Sequence, residues 1–234
     1  MKKILSFIAL LSLMSCAELQ QIATNLPNSG YGVSNNDIAS GLRQALELGI
    51  DKQVTKLTQK DGFFKNELVK ITLPPELQRV DKTLRDVGLG NLADEGLRVL
   101  NRAAEDAVKE ATPIFINAVK GITFNDAKTI LLGQNDAATK YLIQNTKNQL
   151  YNKFNPVITN SLSEVGADKI WNNLIQKYNS IPLTRKVNPD LSDYVTTQAL
   201  DGVYTMIAVE EKEIRTDLSA RTTSLLQRVF KLQD

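Results

Sequence analysis

Beyond about residue 35 the apolar residues of this chain return every three or four positions, the spacing of one face of an α-helix. Ile38, Leu42, Ala45, Leu46, Val54 and Leu57 set the pattern, and Leu97, Leu100, Ala103, Ala104, Ala107, Val108 and Ala111 repeat it. Strict alternation is confined to a stretch where Val69, Ile71 and Leu73 interleave with Leu68, Lys70 and Thr72. A lone short strand has nothing to pair with, so Phe63 to Leu73 reads as an extended connector after a helical turn, with Leu73 kept extended by Pro74. No unit of roughly 20–50 residues repeats. The pattern predicts an all-α fold: a single multi-helix bundle of eight or nine helices, without significant sheet, over residues 35–234.

Glycine and proline divide the bundle. Asn36 or Ser34 caps the first helix, Gly49 is a weak point in it, and Lys60-Asp61-Gly62 ends it. Pro75 opens the second, whose stripe is Leu77, Val80, Leu84 and Val87, and Gly88 and Gly90 stop it. A third runs from Leu92 to Thr112, where Pro113 kinks or restarts it. Thr123-x-x-Asp126 is a capping box opening Phe124 to Leu132. Asn135 or Asp136 caps a longer helix that bends at Pro156 and ends at Gly166. Ile170, Trp171, Leu174, Ile175 and Tyr178 mark the next, and Ser180 to Leu191 is the longest clear loop. Ser192 then caps a helix reaching Arg215, and the last carries Leu225, Leu226, Val229 and Phe230.

The first residues follow different rules. Lys2 and Lys3 precede an apolar run from Ile4 to Met14, broken only by Ser6 and Ser12. It is shorter than the roughly 20 residues a spanning helix needs and has the length of a signal-peptide core. Leu13-Met14-Ser15-Cys16 resembles the lipobox of bacterial lipoproteins, with Met14 a less usual choice at its place. That resemblance implies cleavage before Cys16, a diacylated Cys16 thiol and an acylated new amino group; two or three chains anchor stably where one is marginal. Ala17 in place of Asp favours, in a two-membrane cell, the outer membrane with the domain facing the periplasm. Residues 1–15 are thus read as the leader and 16–34 as a lipidated N-terminus and flexible tether, rich in Gln, Asn, Ser, Gly and Thr.

Composition removes whole chemistries. The chain has no His and a single Cys, so Ser–His and Cys–His nucleophiles, histidine zinc sites, internal disulfides, zinc ribbons and CxxC centres are excluded. Gly88-x-Gly90 lacks the third glycine and the Lys-Ser/Thr of a phosphate loop, and there is no Asp-x-Asp-x-Asp-Gly calcium loop. No cofactor and no metal are expected. Loss of the leader removes Lys2 and Lys3 from 28 basic residues, leaving 26 against 26 acidic ones, a balance that gives no case for nucleic acid.

Several short motifs stand in order along the chain: Asn101-Arg102-Ala103-Ala104-Glu105, Thr123-Phe124-Asn125-Asp126-Ala127-Lys128, Asp136-Ala137-Ala138-Thr139-Lys140-Tyr141, Tyr194-Val195-Thr196 with Ala199-Leu200-Asp201-Gly202, and Glu210-Glu211 with Ile214-Arg215. In order and spacing they resemble the bacterial domain of unknown function 4197 family, over roughly Asn35 to Lys231. The resemblance implies an envelope-located helical domain and supplies no activity. Asp217-Leu218 departs from it, standing where Asn-Pro is expected.

Two polar clusters are the candidates for chemistry. Asn101, Arg102 and Glu105 share a helix on which Arg102 can pair with Asp106 and Asn101 with Glu105. Glu105 could serve as a general base or ligand anchor, and Arg102 could bind an anion. Glu210, Glu211 and Arg215 form the second, with Glu211 and Arg215 in the favoured i,i+4 order. Adjacent helical residues point about 100° apart, so Glu210 and Glu211 do not share one substrate atom; a carboxylate pair would need Glu105 and Glu211 together. The competing reading of both clusters is structural. The leading expectation is a non-enzymatic interaction module held at the membrane by its acyl chains, with an envelope protein as partner. A carrier of a lipid or other hydrophobic ligand in an interhelical cavity, and a carboxylate-dependent hydrolase, are the alternatives. Convergence of Asn101, Arg102, Glu105, Glu211 and Arg215 on one pocket would favour the latter two.

Overall fold

The first helix, α1 (Asn35–Leu57), buries Leu42, Ala45, Leu46, Ile50, Val54 and Leu57 on the face its sequence spacing marks out. A computed structural model describes residues 33–183 and 185–234 of the chain; the leader, Cys16 and nearly all of the tether lie outside the described residues. A 3₁₀ turn (Pro75–Leu77) leads into α2 (Gln78–Asp86), followed by α3 (Gly90–Val108), α4 (Ala111–Lys120), α5 (Phe124–Leu131), α6 (Ala137–Glu164), α7 (Ala167–Asn179), α8 (Leu191–Thr216) and α9 (Ser224–Phe230). These nine helices, with no strand among the described residues, are the all-α bundle the periodicity predicts.

Helix α8 is the axis. It packs against α1, α3 and α6, and Val195, Ala199, Val203, Met206 and Ile207 are all buried. The approach is closest at Gly202, where a Cβ would stand 2.7 Å from Phe63 Cε1 and 3.3 Å from Val69 Cβ. Helix α1 runs antiparallel beside α8: Phe63, just past its end, meets Gly202, while Gly49 lies against Glu210 and Gly41 against Val229 of α9. Gly49 is therefore a place of close packing, and α1 passes through it unbroken.

Several boundaries move. Gly90 opens α3 instead of stopping α2, which ends near Gly88 at φ +83°. Val87, expected on the apolar stripe of α2, is exposed. Helix α3 stops at Val108, and the restart comes at Ala111, which puts Pro113 in the first turn of α4, where a missing N–H costs no helical hydrogen bond. Pro156 lies inside an unbroken α6. Asp190 replaces Ser192 as the cap of α8, accepting from the Asp193 amide at 3.0 Å, and Ser192 is buried within the helix. The capping box at Thr123 and Asp126 forms as read. Asp61 takes φ +63°, and a Cβ on Gly62 would strike the Leu57 carbonyl at 2.5 Å, so this Asp-Gly pair makes a turn few other sequences could make. Residues 63–73 form turns and then an irregular extended run, as expected for a connector.

Candidate functional site

The five candidate residues do not converge. They divide among separate helix crossings and one open groove, and the buried ones act on backbone.

On α3, Asn101 is fully buried and one turn before Glu105. Its amide binds Ile71 as a strand neighbour would: Asn101 Oδ1 accepts from Ile71 N at 2.8 Å, and Asn101 Nδ2 donates to Ile71 O at 2.8 Å. Nδ2 also donates to Leu97 O within α3. Glu105, nearly buried, accepts from the amides of Phe63 at 3.1 Å and Asp61 at 3.3 Å. Burial pushes the Glu105 carboxyl above the usual glutamate range, against the downward pull of those amides. The two side chains thus hold the connector after α1 onto α3, satisfying backbone groups that no sheet or helix serves. The expected Asn101–Glu105 pairing is not made.

Arg102 points the other way. It is exposed and makes no ion pair with any described residue, because Asp106 pairs with Lys109 at 2.7 Å. It lines an open surface groove of about 710 Å³ with Lys60, Asp61, Asp94, Glu95 and Arg98. Asp61 is engaged by Lys65, Asp94 by Arg85, and the Arg98 guanidinium lies over the Phe64 ring.

On α8 the adjacent carboxylates diverge as helical geometry requires. Glu210 faces α1, accepting from Gln53 Nε2 at 2.7 Å with Lys52 Nζ also at 2.7 Å. Glu211 faces the start of α6. It accepts from the amides of Ala138 at 2.9 Å and Thr139 at 2.8 Å and from the Thr139 hydroxyl at 2.8 Å. Arg215 donates to Glu211 Oε1 through Nη2 at 2.8 Å and Nε at 3.0 Å. The same guanidinium donates to the last carbonyls of α5, Ile130 at 2.9 Å and Leu131 at 3.0 Å. A carboxylate at the positive end of α6 and a cation at the negative end of α5 complement both helix dipoles. Asp136, the N-cap of α6 by position, makes no capping hydrogen bond; Glu211 does that work from another helix.

A residue that sequence reasoning missed completes the set. Arg221, 2% exposed, donates to the carbonyls of Ile214 and Arg215 at the end of α8, each at 3.0 Å, and clamps Asp234 with two bonds of 2.8 Å. The ion pair holds the Asp234 carboxyl below its usual range. No spacing rule points to Arg221, whose acceptors are set by the chain reversal after α8. Asp217, standing where Asn-Pro was expected, caps the short 3₁₀ turn Leu218–Ala220 by accepting from Ser219 N at 2.8 Å.

Glu210, Glu211 and Arg215 line a small, partly open cleft of about 20 Å³ with Leu46, Ile50, Ile207, Ile214 and Phe230 among others. That is room for about one water molecule. Among the described residues no group of three or more His, Cys, Asp or Glu could hold a metal ion, and no helix is long and apolar enough to cross a membrane.

Fold and site together define an all-helical domain whose buried charges serve as helix-end and loop clamps. Comparison with known families then places it. A family described as a protein of unknown function (DUF4197) matches residues 32–231, nearly the whole helical domain, and the chain belongs to that family. No curated protein and no solved structure matches it.

Proposed function

We propose that this protein is a non-enzymatic interaction module of the bacterial cell envelope, held by acyl chains on Cys16 and presenting the helical domain to the periplasm. The observation that carries the reading is the dispersal of Asn101, Arg102, Glu105, Glu211 and Arg215. The carboxylates that acid–base chemistry would need are spent on amides: Glu105 holds Asp61 and Phe63, and Glu211 holds Ala138, Thr139 and Arg215. A general base must reach a substrate proton, and these oxygens face helix ends and loop backbone. A carrier reading finds little support, since ligand pockets run to several hundred Å³ and the cleft beside Glu210 and Glu211 holds about 20 Å³. Recognition therefore falls to the surface, where Arg102 stands exposed in its groove.

The anchoring half of the proposal rests on Lys2, Lys3, the short apolar run and Leu13-Met14-Ser15-Cys16. Growth of the native host with a labelled fatty acid tests it. Label should enter the wild-type protein and be lost with Cys16→Ala; a wild-type chain that takes up no label would remove the anchor.

A further inference from the structure

Helix α7 has two apolar faces and uses one. Trp171 and Ile175 turn inward and are buried, Trp171 stacking on Tyr194 and donating its indole N–H to Asn188 O at 3.1 Å. On the adjoining side Ile170 is 70% and Leu174 50% exposed, about 40° apart around the helix. The stripe continues past the helix end through Ile181, 51% exposed, to Leu183, whose side chain is uncovered altogether.

The Asn179 side chain accepts from Val187 N at 2.9 Å and donates to Val187 O at 2.7 Å, which ties the end of α7 to Val187. Leu183 holds φ +66°, a left-handed conformation that a leucine rarely adopts. Leu183 thus adds a large exposed apolar side chain beyond the exposed apolar face of the helix.

The segment that carries these residues is cationic. Residues 167–187 contain Lys169, Lys177, Arg185 and Lys186 against Asp168 alone, a surplus of three positive charges in a chain whose total is +2. Asp168 and the neighbouring Glu164 sit at the opposite end from Leu183, around the start of α7. Exposed aliphatic residues in a segment rich in Lys and Arg suit the headgroup region of an anionic bilayer, where the apolar side chains enter and the cations stay at the phosphates.

We infer that α7, with Ile181 and Leu183 beyond its end, forms a membrane-docking surface for anionic phospholipid, with Ile170, Leu174, Ile181 and Leu183 entering the interface. The inference rests on the anchoring proposed above and adds the face that meets the lipid. The start of α1 lies beside α9 at the C-terminal end of α8, through Gly41 against Val229 and Asp37 against Arg228. The stripe lies at the N-terminal end of α8, beside Tyr194.

Trp171 is the only tryptophan of the chain and adjoins Ile170, so its emission reports lipid contact without a label. The acylated full chain would be reconstituted into vesicles with bromine-bearing acyl chains, either with phosphatidylglycerol or of phosphatidylcholine alone. Quenching of Trp171 in the anionic vesicles, weaker in the neutral ones, and its loss in Ile170→Ser/Leu174→Ser/Leu183→Ser are expected. A wild type that floats with the vesicles but keeps its emission overturns the docking surface and leaves the anchor standing. A chain that fails to float removes the anchor, and if its Trp171 is still quenched on added anionic vesicles the surface survives. A shift in emission that follows protein concentration without vesicles overturns the inference in favour of a second copy of the chain.

Discussion

Glu211 and Arg215 stand one turn apart on α8 and grip the two sides of one chain reversal, the carboxylate holding the first amides of α6 and the guanidinium the last carbonyls of α5. Both side chains are almost wholly out of water. The pair therefore joins three helices through their ends.

Removing one partner should be costly. Glu211→Ala leaves a buried guanidinium without its counter-ion and two α6 amides without acceptors, and a loss of about 3–5 kcal/mol is expected. Urea unfolding followed by circular dichroism measures it. A loss below about 1 kcal/mol would mean that the pair is solvated in solution.

Asn101→Ala should cost about 2–4 kcal/mol, because both the N–H and the C=O of Ile71 lose their partner in the interior. Amide exchange at Ile71 should accelerate more than at Val108 of the same bundle. Unchanged protection at Ile71 would show that another group serves it.

Gly202→Ala places a methyl group 2.7 Å from the Phe63 ring, and overpacking of this kind costs about 1–3 kcal/mol. Thermal unfolding of the variant tests this, and a midpoint equal to wild type would contradict the close crossing of α8 and the connector.

Glu105 gives the fold a pH signature. Its folded pKa is raised by burial, so its neutral form is favoured in the native state. That contribution is fully present below the unfolded glutamate range and is lost as the pH rises through the folded value. Relative to Glu105→Gln, the wild type should lose stability over the interval that opens at the ordinary glutamate value of about pH 4 and runs upward. A wild type that gains on the variant over that interval would reverse the assignment.

What could be read from the sequence was what acts locally. The apolar period fixes the helices because burial follows it, and Thr123 with Asp126 forms a capping box since its partners lie three residues apart. Glu211 caps α6 across 72 residues and Asn101 serves Ile71 across 30, so neither acceptor is marked by spacing. The sequence singled out Asn101, Arg102, Glu105, Glu211 and Arg215 as members of two polar clusters on helices. It could not say whether they faced one cavity or several backbone segments, since that depends on how the helices cross. Asp190 and Ser192 are both good N-caps, and only the path of the preceding loop selects Asp190. Val87 was placed on a stripe by period alone, but α2 packs mainly on α3 and leaves it in solvent.

The account as a whole depends on what becomes of Cys16, and the intact mass of the protein from its native host measures that directly. The account predicts a chain that begins at Cys16 and carries the added mass of two or three acyl groups. A chain that still begins at Met1, with the Cys16 thiol unmodified, would contradict it.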